Sequence, residues 1–147
     1  MKNLVLPALL ATGLCGCGPT GQQFHGLYDV TGTAHFSIQD FGNYSAQLLD
    51  TFRVFEGTTT DLVLTDPAGT CLLLANVEGE VASLEPGSTC TRSDNGATVT
   101  LTLTRGTLSF SGTSARLHMS GTATAAARGQ LHPGSFFQSA TLTRVGE

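Results

Sequence analysis

The sequence predicts an all-β protein, a small antiparallel meander closed as an up-and-down barrel or stacked as a sandwich, of about eight strands. Three observations predict it. Apolar residues recur with period two over long runs, turn residues fall roughly every ten positions, and Gly, Ser and Thr stand where charges usually stand. Only 12% of the chain is charged, against about a quarter in an ordinary soluble domain. No stretch carries a helical period with caps; residues 123–128 are Ala-rich but continue a strand alternation and end at Gly129.

The first strand opens after Phe24. Tyr28, Val30, Gly32, Ala34, Phe36 and Ile38 fall on one face, and Asp29, Thr31, Thr33, His35 and Ser37 on the other. Ala97, Val99, Leu101 and Leu103 alternate in the same way with four threonines, and Ala115, Leu117, Met119, Gly121, Ala123 and Ala125 with Arg116, His118, Ser120, Thr122 and Thr124. Such alternation marks strands with one buried face, and threonine suits the wet one. Residues 46–55, 61–65, 70–77, 81–84, 108–112 and 136–145 are less regular strand candidates. Between them Asp66-Pro67-Ala68-Gly69, Glu85-Pro86-Gly87-Ser88, Ser93-Asp94-Asn95-Gly96 and Arg105-Gly106-Thr107 read as turns, and residues 129–135 as a loop. Pro presets φ and Gly supplies positive φ where a tight reversal needs it. Val30-Thr31-Gly32-Thr33, Phe110-Ser111-Gly112-Thr113 and Met119-Ser120-Gly121-Thr122 repeat a small motif whose glycine is expected to let the sheet bend.

At 147 residues the chain suits one domain with a core of its own, and 40% hydrophobic residues is too many for a disordered chain. A net charge of −4 excludes phosphate-backbone binding, so no nucleic-acid partner is expected.

The N-terminus follows a different logic. Lys2 supplies a positive charge, and residues 4–14 form an apolar run of eleven, too short for a bilayer span of about 20. Charge, apolar run and small residue in that order make a signal peptide. Its end, Leu14-Cys15-Gly16-Cys17, resembles the lipobox of bacterial lipoproteins, with Leu at −3, a small residue at −1 and Cys at +1. Cys15 at −2 is unusual for that motif. The resemblance implies cleavage between Gly16 and Cys17, a thioether-linked diacylglycerol on Cys17, and an acyl chain, palmitate in kind, on its amino group. It implies residence in the bacterial cell envelope, and Gly18 rather than Asp at +2 points to the outer membrane. Two or three acyl chains anchor stably where one does not.

The expected organisation is therefore a signal peptide over residues 1–16, the lipidated Cys17 and a tether to residue 23, and a single β domain over residues 24–147. Cleavage removes Lys2, the only lysine, leaving six basic against eleven acidic residues and a net charge of −5. That surface is not drawn to anionic headgroups, so the lipid is the expected membrane partner. The six residues after Cys17 reach only about 15 Å as a flexible coil. Of four cysteines, Cys15 leaves with the signal and Cys17 carries lipid. Cys71 and Cys90 remain, and in an exported chain an even pair is most simply a disulfide. Two buried thiols are the alternative; a metal pair lacks a Cys-x-x-Cys or an adjacent His.

No catalytic constellation stands out, and no catalytic residue, metal site or cofactor is expected. There is no Gly-x-Ser-x-Gly, His-Glu-x-x-His, calcium loop or phosphate-cradling glycine loop. Glu78 and Glu80 flank Gly79 and read as a solvated turn rather than an acid–base pair. His35 and His118 lie on polar faces and would approach a metal only if their strands were neighbours. His25 and His132 are read as surface residues. An outer-membrane barrel would need aromatic girdles, which a chain with no Trp and two Tyr does not supply. Gly26-Leu27-Tyr28, opening the first strand, is similar to the Gly-x-Trp of lipocalins, with Tyr in place of Trp. That three-residue resemblance implies, as a second reading, a calycin-like barrel around a small apolar ligand. The first reading is a non-enzymatic structural or interaction role, with another envelope protein as partner.

Overall fold

The computed structural model describes residues 20–94 and 96–147, with Asp94 described by its backbone alone. The expected signal peptide and the expected lipid-bearing Cys17 lie outside the described residues. Among the described residues a single 3-10 turn, Gln22–Phe24, precedes nine strands: β1 Gly26–Ile38, β2 Gly42–Glu56, β3 Leu62–Thr65, β4 Cys71–Glu78, β5 Val81–Leu84, β6 Thr89–Asp94, β7 Ala97–Ser111, β8 Ser114–Ala127 and β9 Gln130–Gly146. All pairings are antiparallel and belong to one sheet.

The sheet closes into a ring. β1 pairs β2 on one side and β9 on the other, β9 pairs β8, and β8 pairs β7. β7 then pairs β5 through Thr107 to Ser109 and β6 through Ala97 to Thr102. Both short strands reach β4, which pairs β3, which returns to β2. β5 and β6 are thus one interrupted strand, so the nine strands fill eight places around the ring, as the alternation suggests. The interruption is Glu85-Pro86-Gly87-Ser88, a turn with Gly87 at φ +88°.

The apolar faces point inward. Tyr28, Val30, Ala34 and Ile38 of β1, Leu101, Leu103, Leu108 and Phe110 of β7, and Ala115, Leu117, Met119, Ala123 and Ala125 of β8 join one buried cluster with Phe52, Leu64, Leu73 and Leu142. Burying each large side chain contributes about 1.5–3 kcal/mol. The outer positions of these strands are mainly Thr, Ser and charged residues, the reverse of a membrane-spanning barrel. Two glycines of the repeated motif stand where a neighbouring strand's backbone leaves no room for a side chain. A Cβ on Gly32 would lie 2.2 Å from the Ser139 carbonyl oxygen, and one on Gly121 would lie 2.0 Å from that of Thr102. Gly112 differs: it sits in the β7–β8 turn at φ +61°.

Three sequence expectations need correction. Arg105-Gly106-Thr107 is not a turn; β7 runs through it, with a register shift between Leu103 and Arg105. Gly106 fits there because a side chain would meet Leu84 and Met119. Residues 129–135 are not a loop, since β9 begins at Gln130 and carries Pro133. Proline is tolerated because β1 ends at Ile38, and Pro133 needs only its carbonyl, which accepts from Gln39 N–H at 2.9 Å. β6 is a strand that the sequence reading left out, and its last residues take up part of the turn expected at Ser93-Asp94-Asn95-Gly96.

The ring is complete at only one end. There, β1 begins, β7 and β8 meet at Gly112, and the 3-10 turn enters. At the other end β1 and β2, and β8 and β9, reverse direction. β3 and β4 never reach that end, because they turn back at Asp66-Pro67-Ala68-Gly69. β3 covers only Arg53 to Glu56 of β2. The wall therefore has a notch, flanked by residues 43–52 of β2 and by the far end of β6.

Candidate functional site

The closed end is held by a clasp around Tyr28. Its ring is 1% exposed, and its hydroxyl donates to the Phe24 carbonyl at 2.9 Å. Arg144, near the end of β9, donates to that hydroxyl from Nε at 3.1 Å and Nη2 at 2.7 Å. Nη2 also reaches the Gln23 carbonyl at 2.6 Å, and the guanidinium lies 5.3 Å from the Tyr28 ring centre. Phe24 stacks on Phe110 with centroids 3.8 Å apart. One tyrosine and one arginine, 116 positions apart, thereby tie the start of the domain to its end. The Tyr28 hydroxyl is satisfied in the core, as a buried hydroxyl must be. Beside this clasp, His25 is half-buried and its Nε2 is buried without a hydrogen-bond partner.

Cys71 and Cys90 form a disulfide. They face each other on β4 and β6, where the ladder has only two pairs, Cys71–Cys90 and Leu72–Thr89. The link fixes β6 where backbone pairing is weakest. Just before Cys71 lies a buried carboxylate. Asp66 Oδ1 accepts from Cys71 N–H at 2.8 Å, and Oδ2 accepts from the Thr70 hydroxyl at 2.5 Å. Burial raises the pKa of this group, but the Thr70 and Cys71 bonds together outweigh burial and hold it below the usual carboxylate value.

Among the described residues an ion pair crosses the notch, Arg92 of β6 with Asp50 of β2. The other oxygen of Asp50 accepts from the neighbouring Thr51 N–H at 2.8 Å. With the Arg92 side chain 44% exposed, solvent screens the pair and it contributes little to stability.

Of the histidines, His35 and His118 are not brought together. β9 lies between their strands, with His35 opposite Phe137 and His118 opposite Ser139. His35 Nδ1 instead lies 2.7 Å from Ser45 Oγ across β1 and β2, in a surface cleft of about 400 Å³. Among the described residues no carboxylate backs that imidazole and no group of three or more His, Cys, Asp or Glu could hold a metal ion. His132 is not a plain surface residue: its side chain is 13% exposed, and Nδ1 lies 2.9 Å from Asp40 Oδ2 with Phe41 edge-on at 5.0 Å. Glu78 and Glu80 flank Gly79, which turns β4 into β5 at φ +63°.

Tyr28, which the lipocalin resemblance singles out, opens β1 and points into the ring. The centre there is packed rather than hollow, filled by Tyr28, Phe52, Leu64, Leu73, Leu117 and Leu142, each at most 1% exposed. The fold and these sites define a class: a small, ring-closed, antiparallel β protein with a filled centre, a clasped end and a notched wall. In comparisons with protein-family models, curated proteins and solved structures, nothing matches this chain.

Proposed function

We propose that this is a lipid-anchored protein of the bacterial cell envelope that acts by a structural or interaction role, without catalysis. One observation carries the reading: Leu14-Cys15-Gly16-Cys17 closes a charged-then-apolar N-terminus, and the 3-10 turn that leads the described elements begins at Gln22, five residues beyond Cys17. The 3-10 turn takes in the last two residues of the expected tether, so the span between lipid and domain is short. The acyl chains supply the membrane affinity, and the acidic domain adds none on an anionic surface. The Tyr28–Arg144 clasp stands where the chain enters the domain, so tension from the anchor falls on the first and last strands together.

The test is fractionation of bacteria expressing the full chain. The processed protein is expected in membranes, released by detergent, while Cys17→Ala leaves the protein unacylated. Recovery of a wild-type chain without acyl mass from the soluble fraction would overturn the reading.

A further inference from the structure

We propose that the outer face of β7, β8, β9 and β1 binds an acidic glycan, an oligosaccharide carrying carboxylates, with Phe137 as the platform. Strand register builds the site. Ser45, His35, Phe137, Ser120 and Arg105 are successive cross-strand neighbours, running from β2 through β1, β9 and β8 to β7. They point outward, because the alternate positions of these strands face the core. Phe137 is 49% exposed, and the His35 ring lies nearly parallel to it with centres 6.2 Å apart. A shallow cleft opens on each side of Phe137. One, of about 400 Å³, reaches Ser45, and the other, of about 450 Å³, is lined by Arg105, Thr107, His118 and Ser120. Each has room for a sugar ring, whose flat C–H face suits the negative face of an aromatic ring.

Charge selects an anion. The chain is acidic, yet of its eleven Asp and Glu only Asp29 lies on β1, β7, β8 or β9. Asp29 stands opposite Thr143, away from Phe137. Glu85, in the turn beside β7, is bonded to Asn76 instead. Arg116 stands two residues along β8 from His118, on the same outward face. Among the described residues neither Arg105 nor Arg116 makes an ion pair. Arg105 donates from Nε to Ser120 Oγ at 3.3 Å. That bond aims the guanidinium and leaves its terminal N–H groups to take a carboxylate by two parallel bonds.

The rest of the face suits a sugar better than a protein. β1, β8 and β9 are paired on both sides, so an acidic peptide finds no strand edge to join, and recognition falls to side chains. The row beside Phe137 is Gln47, Thr33, Ser139, His118 and Thr107. Across the two rows Ser and Thr hold five of ten places, and Phe137 is the only large apolar side chain. Protein interfaces are depleted in serine and gather aromatics at their centre, whereas short hydroxyls match a ligand made of hydroxyls. A lipid surface would call for a cluster of about four or more basic side chains. None of this depends on the lipid anchor.

The probe is hexagalacturonate, with one carboxylate per ring, titrated calorimetrically at neutral pH into the full chain in a detergent without a sugar headgroup. Salt at about 0.15 M screens non-specific attraction. The proposal expects saturable binding with a Kd below about 1 mM. Arg105→Gln and Phe137→Ala should each weaken it at least about tenfold. Both variants should melt within about 5 °C of the parent, because both side chains stand outside the core. The neutral cellohexaose, and a hexaglutamate peptide of the same charge, should each bind at least about tenfold more weakly. The hexaglutamate comparison needs no variant, so the test stays decisive if a substitution unfolds the chain. No saturation up to about 1 mM, hexaglutamate binding as tightly as the sugar, or binding that survives both substitutions overturns the proposal. So does a dimer of the free chain that Arg105→Gln dissolves, since the face would then belong to a second copy. The mass of the N-terminal peptide tests acylation separately, so a failed anchor and a failed glycan site are told apart.

Discussion

The buried carboxylate of Asp66 is held charged by the Thr70 hydroxyl and the Cys71 N–H. Its pKa lies below the unfolded value, so its contribution is full above the ordinary carboxylate pKa and is lost as pH falls through the lowered one. Thr70→Ala should therefore destabilise the chain by about 1 kcal/mol at neutral pH, and the deficit should shrink in acid urea titrations. Gly121→Ala should cost more, about 1–3 kcal/mol, because its Cβ would meet the Thr102 carbonyl at 2.0 Å; the urea midpoint reads both. The turn at Asp66-Pro67-Ala68-Gly69 was legible because Pro and Gly announce it. The carboxylate's bonds were not, since Asp66 reads the same whether it faces water or folds back on Cys71. His132 shows the same limit, as its cover by Phe41 and Asp40 comes from a distant hairpin.

Among the elements, the long alternating strands β1 and β8 were the most legible, because one buried face writes a period of two into the sequence. β7 was read as two pieces because Gly106 signals a turn, and only packing against Leu84 and Met119 explains a glycine inside a strand. β6 escaped because its polar run, Thr89-Cys90-Thr91-Arg92-Ser93-Asp94, borders the notch and has little core to face. Its stability rests on β7 and on the Cys71–Cys90 bond. Reducing that bond should lower stability by about 3 kcal/mol for a loop of this size, measured by urea denaturation with and without dithiothreitol. The clasp is the second element-level device. Arg144→Ala should cost about 2 kcal/mol and speed amide exchange at Phe24 and Tyr28, whereas Arg144→Lys should recover part of the loss, since an ammonium can reach one acceptor of the two.

Over the whole molecule, closure and filling decide what the ring can hold. Large side chains at most 1% exposed occupy the centre, so native mass spectrometry of the full chain should show no bound small molecule, and a reproducible excess beyond lipid would mean the core opens. The ring wall is notched beside residues 43–52 of β2, because β3 and β4 are short. That feature was not legible in the sequence, because strand lengths set it and Asn43-Tyr44-Ser45 gives no strong strand signal. The N-terminus, by contrast, was read wholly from sequence. Tandem mass spectrometry of the N-terminal peptide from the membrane-extracted protein tests the central claim most directly. The account predicts a chain beginning at Cys17 and carrying diacylglycerol with an amide-linked acyl group; a free thiol at Cys17, or a chain beginning at any other residue, would contradict it.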